Sequence, residues 1–160
     1  MNTLKYNNVD YRVVVVEDHL DKIMQTIGEI VSSYVKGEAV VADFSNLRSR
    51  GAKTSHAGIS SGAASFAEAM DGAIVSVMHE TDIKRYPPIA ILAESHPDFT
   101  EFKSSDPQIV LYASLSDTGL KILEKGKKNI TPRWELKTKE EVRQSLVDVE
   151  KQASPFFRRA

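Results

Sequence analysis

YRVVVVEDHLDKIMQTIGEIVSSYVKGEAVVADF, residues 11–44, changes its hydrophobic period twice. YRVVVV, 11–16, is β-branched and almost continuous, which predicts a strand buried on both faces. Leu20, Ile23, Met24, Ile27, Ile30, Val31 and Tyr34 then recur at spacings of three and four, which predicts an amphipathic helix over 19–35 that ends near Gly37. Asp18 stands where an N-cap is expected. EAVVADF, 38–44, returns to strand character. A strand, a helix and a second strand in this order make a crossover unit, so an α/β fold with much parallel pairing and right-handed crossovers is expected.

The rest of the chain extends that alternation. Ser60 or Ser61 is expected to cap a helix running to about Met78, in which Ala63, Ala64, Ala67, Ala69, Gly72 and Ala73 permit close approach of a neighbour. Its Phe66, Met70, Ile74 and Val77 form a stripe for a core or a partner. ETDIKRYPP is polar and broken by prolines, and PIAILAE is a third buried strand. His96-Pro97-Asp98 reads as a turn into a short helix with Phe99 and Phe102, and His96 as a turn residue, not a catalyst. PQIVLYASL, 107–115, is a fourth strand. A helix is expected over 116–125 with Asp117 in its first turn, a short strand at PRWELK, 132–137, and a last helix from the Thr138 to Glu141 capping box to about Gln152.

Composition narrows the function. The chain has 160 residues, enough for one domain over 1–160, with 41% hydrophobic and 27% charged residues. Runs such as Val13 to Val16 and Ile89 to Ala93 are too short to span a bilayer, and the start shows no secretory signal, so a cytoplasmic location is the expectation. A net charge of −1 gives no overall field for nucleic acid or anionic membrane. With no cysteine, this chain has no disulfide, thiolate ligand, thiyl radical or cysteine nucleophile. His19, His56, His79 and His96 stand far apart and outside any HxH or HExxH pattern, so no metal site is expected. Neither a Ser-His-Asp spacing nor a GxxxxGK loop suggests a hydrolase.

One segment suggests a ligand. DFSNLRSRGAKTSHAGISSGAASFAEAMDG, 43–72, runs from a strand end through a loop with Arg48, Arg50 and Lys53 and no acid between them, into a helix start. That order can present an anion site, because helix starts bind anions where the loop geometry cooperates. It equally describes a solvated cationic loop.

FSNLRSRG, GISSGAASFAEAMD, ILAESHPDFTEF and YASLSDTGLKILEKG, in this order and spacing, resemble the barrel domain of ribonucleotide reductases, especially the adenosylcobalamin-dependent and phage-type enzymes. The resemblance spans about residues 9–157, with Asp18-His19-Leu20 and Ala153-Ser154-Pro155 at its margins. It implies an α/β fold that is a partial, half barrel of mainly parallel strands with crossover helices. It also implies that Tyr11 stands at the position of the family's reducing cysteine, while the radical-bearing cysteine and its partners would lie beyond Ala160. The chain alone is therefore expected to lack reductase activity.

By the same resemblance a deoxynucleoside triphosphate effector would lie with Asp18 near its ribose or base and Arg48 near its phosphates, with Arg50, Lys53 and Ser55 close by. The planar fork of Arg48 suits phosphate oxygens. Lys53 stands where the family has proline, and Ser55 where a second phosphate-binding arginine is common. The family's specificity loop resembles ETDIKRYP, 80–87, in which the glycines are gone, Lys84 and Arg85 remain, and Tyr86-Pro87-Pro88 stiffens the backbone. Two classes of function follow. One is a non-catalytic component or remnant of a split, phage-type reductase that binds a dNTP; the other is a repurposed interaction or structural scaffold, for instance viral and so in a host cytoplasm. The expected partners are further copies of the chain, through helices 19–35 and 61–78 or an open sheet edge, or a complementary reductase fragment.

Overall fold

The computed structural model describes residues 3–54, 58–79 and 85–123. The strands are β1 (Thr3–Tyr6), β2 (Val9–Val15), β3 (Val40–Asp43), β4 (Ile89–Ala93), β5 (Leu111–Ser116) and β6 (Gly119–Ile122); the helices are α1 (Leu20–Val35), α2 (Ala63–Val77) and α3 (Phe99–Ser104). They build a six-stranded sheet whose spatial order follows the chain. Strands β2 to β5 are parallel, and an antiparallel hairpin strand flanks them on either side. The result is the mixed α/β half barrel expected.

Both faces of the sheet carry apolar residues, which is why β4 reads as the unbroken run IAILA. Val16, Val40, Ala42, Phe44, Ala90 and Leu92 pack with Ile23, Ile27 and Ile30 of α1 and with Ala64, Ala67, Met70 and Ile74 of α2. The stripe on α2 is thus core. On the other face Val9, Tyr11, Val41, Ile89, Ile91, Leu111 and Ala113 cluster with Tyr86. Each large side chain buried in this way contributes roughly 2 kcal/mol.

Several expectations are corrected. The first strand starts earlier, at Val9, and pairs with a β1 that the hydrophobic pattern does not announce. Asn7 and Asn8, at φ 53° and 62°, form the two-residue turn that matches strand twist, a conformation asparagine tolerates. Burial of 11–16 on both faces holds only in part: Val15, in the last pair with β3, is 47% exposed. The expected helix over 116–125 is instead the hairpin of β5 and β6 as far as it is described. Ser116 Oγ accepts the Thr118 N–H at 3.3 Å, and Gly119 adopts φ 125°, which a helix cannot contain. Leu120 and Ile122 then alternate toward the Tyr11 face. The strand expected over 107–115 begins only at Leu111, because Gln108, Ile109 and Val110 donate their N–H groups to Asp71. The expected strand at 132–137 and helix at 138–152 lie outside the described residues.

Tyr11 packs edge-on between Tyr6 and Tyr86, with ring centroids at 6.3 Å and 6.0 Å. Its hydroxyl is buried and finds no hydrogen-bond partner among the described residues. Burial first, and then the neighbouring Tyr6 and Tyr86, push the phenol well above the usual tyrosine range. A raised folded value means the contribution to stability is complete below about pH 10 and declines as pH rises further, since the unfolded chain ionises first. Tyr11→Phe is expected to equal or exceed the native protein at pH 7, by up to about 1 kcal/mol. It should also remove about 1 kcal/mol of the loss between about pH 10 and pH 11. Urea denaturation at the two pH values measures both; a loss of more than about 1 kcal/mol at pH 7 would show that the hydroxyl is satisfied.

Candidate functional site

In parallel α/β sheets, ligands bind beyond the carboxyl ends of the strands. Here the ends of β2 and β3 lead into the start of α1 and into the 44–62 loop that precedes α2. That loop is anchored at its base: Asp43 Oδ1 accepts the Ser45 N–H at 3.0 Å, and Ser45 Oγ accepts the Ala93 N–H at 2.9 Å, tying the β3 exit to β4. Farther on, 51–54 and 58–60 are joined through Gly51 N–H to Ser60 O, Ser60 N–H to Ala52 O and Thr54 N–H to Gly58 O, at 2.8–3.0 Å.

The cleft between these segments has a volume of about 270 Å³ and is lined by Asp18, His19, Leu20 and Ile23 from the α1 start, by Arg48, Thr54, Gly58, Ile59, Ser60 and Ser61 from the loop, and by Phe66 of α2. Asp18 does not cap α1; the N-cap position is His19, and no side chain caps there. The carboxylate instead holds the loop. Its Oδ1 accepts the Arg48 N–H at 3.2 Å and its Oδ2 accepts Nε at 2.9 Å, with both side chains about one third exposed. Arg48 Nη1 donates to the Lys53 carbonyl. The structure therefore brings Asp18 and Arg48 together inside the cleft.

Arg50 and Lys53 are not part of that lining. Arg50 sends its fork to both carboxylate oxygens of Glu101 on α3, and this hydrogen bonding holds the guanidinium pKa above its ordinary value. Lys53 is exposed, and its backbone carbonyl accepts from Arg48 Nη1. Ser55 and Lys84 lie outside the described residues. Arg85 is buried at 4% exposure; its Nη1 donates to the Met78 carbonyl at 3.2 Å and its guanidinium lies 5.3 Å from the centre of the Tyr34 ring. That places it between the ends of α1 and α2, where cation–π contact and packing hold it.

The loop on the far side of the cleft wall is held by residues that local patterns do not single out. Asp98, 7% exposed, accepts the Arg50 N–H at 3.1 Å on each oxygen and the Ala63 N–H at 2.9 Å on Oδ2. Neither Ser60 nor Ser61 caps α2. The N-cap position is Gly62, and Asp98 supplies the acceptor from a distant turn. His96 stays a turn residue: Nδ1 accepts the Asp98 N–H at 3.0 Å, which leaves Nε2 to donate to the Leu47 carbonyl at 2.6 Å. The His96-Pro97-Asp98 turn is visible in the sequence, but its partners lie too far away in the chain to be read.

Among the described residues there is no group of three or more His, Asp or Glu arranged to hold a metal ion. Among them, too, no helix is long and apolar enough to cross a membrane. No protein-family model matches the sequence, and no curated protein matches it. The fold is similar to part of a solved structure, the alpha subunit of a class Id ribonucleotide reductase from Actinobacillus ureae, with a TM-score of 0.51 and 20% identity. The match covers 65% of this chain and 19% of that subunit.

Proposed function

We propose that the chain is a non-catalytic, ribonucleotide-reductase-like component whose cleft binds a deoxynucleotide, the part a dNTP effector module plays in a split enzyme. The observation that carries this reading is the meeting of Asp18 and Arg48, 30 positions apart, at the carboxyl ends of parallel strands within a cleft of about 270 Å³. The pair sets an acceptor beside a guanidinium held by Asp18 and by the Lys53 carbonyl, and Thr54, Ser60 and Ser61 line the same cleft. The likeness to 19% of a reductase alpha subunit supports the same reading at the level of fold. The chain has no cysteine, so the dithiol and thiyl chemistry of ribose reduction would have to come from a partner.

Thermal melting with millimolar deoxynucleotides tests the proposal. A bound ligand at one hundred times its Kd adds about 2.7 kcal/mol, enough to raise the melting temperature by several degrees. Arg48→Ala should abolish the shift while the unliganded protein still melts cooperatively. Absence of a shift with every nucleotide would favour the second reading, an interaction scaffold that pairs with its own copies or with a reductase fragment. Leu20 and Met24, at 50% and 47% exposure on one face of α1, support that second reading.

A further inference from the structure

Resting on the deoxynucleotide reading, we infer that His96, which does not line the cleft, is a positioning residue that sets Arg48 in place for the ligand. The Leu47–Arg48 peptide is gripped at both of its polar atoms. Its carbonyl, on Leu47, accepts from His96 Nε2 at 2.6 Å, and its N–H, on Arg48, is donated to Asp18 Oδ1 at 3.2 Å. A peptide unit is planar, so these two holds fix its rotation, and with it the direction in which the Arg48 side chain leaves the backbone. Two residues on, the Arg50 N–H is held by Asp98, so the His96-Pro97-Asp98 turn clasps the chain on either side of Arg48. His96 suits this role because it is itself fixed. It is 9% exposed, its backbone N–H donates to the Ala93 carbonyl at 3.0 Å, and Nδ1 accepts the Asp98 N–H at 3.0 Å. A backbone N–H can only donate, so Nδ1 carries no proton and Nε2 presents its own to Leu47. One ring nitrogen thus serves the turn, and the other serves the loop that carries Arg48.

The two nitrogens can be replaced one at a time. In His96→Asn the side-chain oxygen stands near the place of Nδ1 and can still accept the Asp98 N–H, but the side chain is too short to reach Leu47. In His96→Gln the amide nitrogen stands near the place of Nε2 and still reaches Leu47, but the turn loses its acceptor. Each variant gives up one hydrogen bond, so the two should lose similar stability in urea. Binding should separate them. In calorimetric titration of the whole chain with each of the four dNTPs, His96→Asn is expected to weaken affinity about tenfold, and His96→Gln to stay within about threefold of the native value. Amide exchange supplies a reading that needs no ligand: the Arg48 N–H should exchange about tenfold faster in His96→Asn and at the native rate in His96→Gln. Affinities and exchange rates that are equal in the two variants, or that merely follow their stabilities, overturn the inference and leave the deoxynucleotide reading intact. A native protein that binds none of the four dNTPs overturns that reading, and the inference with it. If His96→Asn fails to fold, His96→Gln decides alone: native affinity in a less stable protein supports the inference, and a loss of about tenfold overturns it.

Discussion

Asp71→Ala is expected to lower the stability of the folded chain by about 4 kcal/mol, a large part of the 5–15 kcal/mol that a domain of this size commands. Asp71 lies on α2 at 6% exposure, and its two oxygens accept three consecutive backbone N–H groups, from Gln108, Ile109 and Val110, each at 2.9 Å. Those amides lie just before β5, so they have not yet joined the sheet ladder. Removing the carboxylate leaves three donors facing an apolar interior, at roughly 1–3 kcal/mol for each donor left dry. Asp71→Asn keeps one oxygen and can still accept from Ile109 and Val110, so about half of the loss is expected. Denaturant midpoints for the two variants measure the ladder of effects. Equal, small losses for both would mean that water reaches the amides and that α2 does not hold the entry to β5.

The parts of this fold that are legible in the sequence are those in which a residue's neighbours along the chain are also its neighbours in space. Ile23, Ile27, Ile30 and Tyr34 repeat with the helix period because they share one buried face of α1, and IAILA is unbroken because both faces of β4 are covered. The hairpins escape notice for a related reason. In β1 and β6 only two residues turn toward the sheet's apolar face, Leu4 and Tyr6 in one and Leu120 and Ile122 in the other, too few to show a period of two. Asn7-Asn8 and Gly119 are the available signals, and at 116–119 an expected helix N-terminus outweighs the glycine.

Capping is hard to read because it is not local here. Asp18, Ser60 and Ser61 stand where side-chain caps belong, yet the acceptor at the start of α2 comes from Asp98, 35 positions away, and Asp18 is drawn 30 positions along the chain to Arg48. No local pattern contains such distances. The cation-rich loop is visible in the sequence, but the division of its cations is not: the acids that claim Arg48 and Arg50 reside on α1's approach and on α3. Among the described residues that division leaves Arg48 alone of the three cations on the cleft, with Asp18 beside it.

Gly62→Ala is expected to cost about 3 kcal/mol, through the same Asp98 network that closes the cleft wall. Gly62 adopts φ 95°, and a Cβ there would lie 2.6 Å from Asp98 Oδ2 and 2.9 Å from both the Cβ and the backbone nitrogen of Arg50. Asp98 cannot withdraw without releasing the N–H groups of Arg50 and Ala63, and the Arg50 backbone is fixed by that same carboxylate. The strain therefore has no flexible side chain to absorb it. Gly72, in the middle of α2, supplies the control: nothing lies within 4 Å of the position a methyl group would take there, so Gly72→Ala should stabilise the protein by about 0.5–1 kcal/mol through helix propensity alone. Two glycine-to-alanine changes within one segment should thus shift the denaturation midpoint in opposite directions. Ser60 and Ser61 line the cleft immediately before Gly62, so the variant at 62 should also weaken whatever the cleft binds, whereas the variant at 72 should leave binding unchanged. A Gly62→Ala protein as stable as the native one would mean that α2 begins without the Asp98 acceptor, and that the wall of the cleft is not built as described.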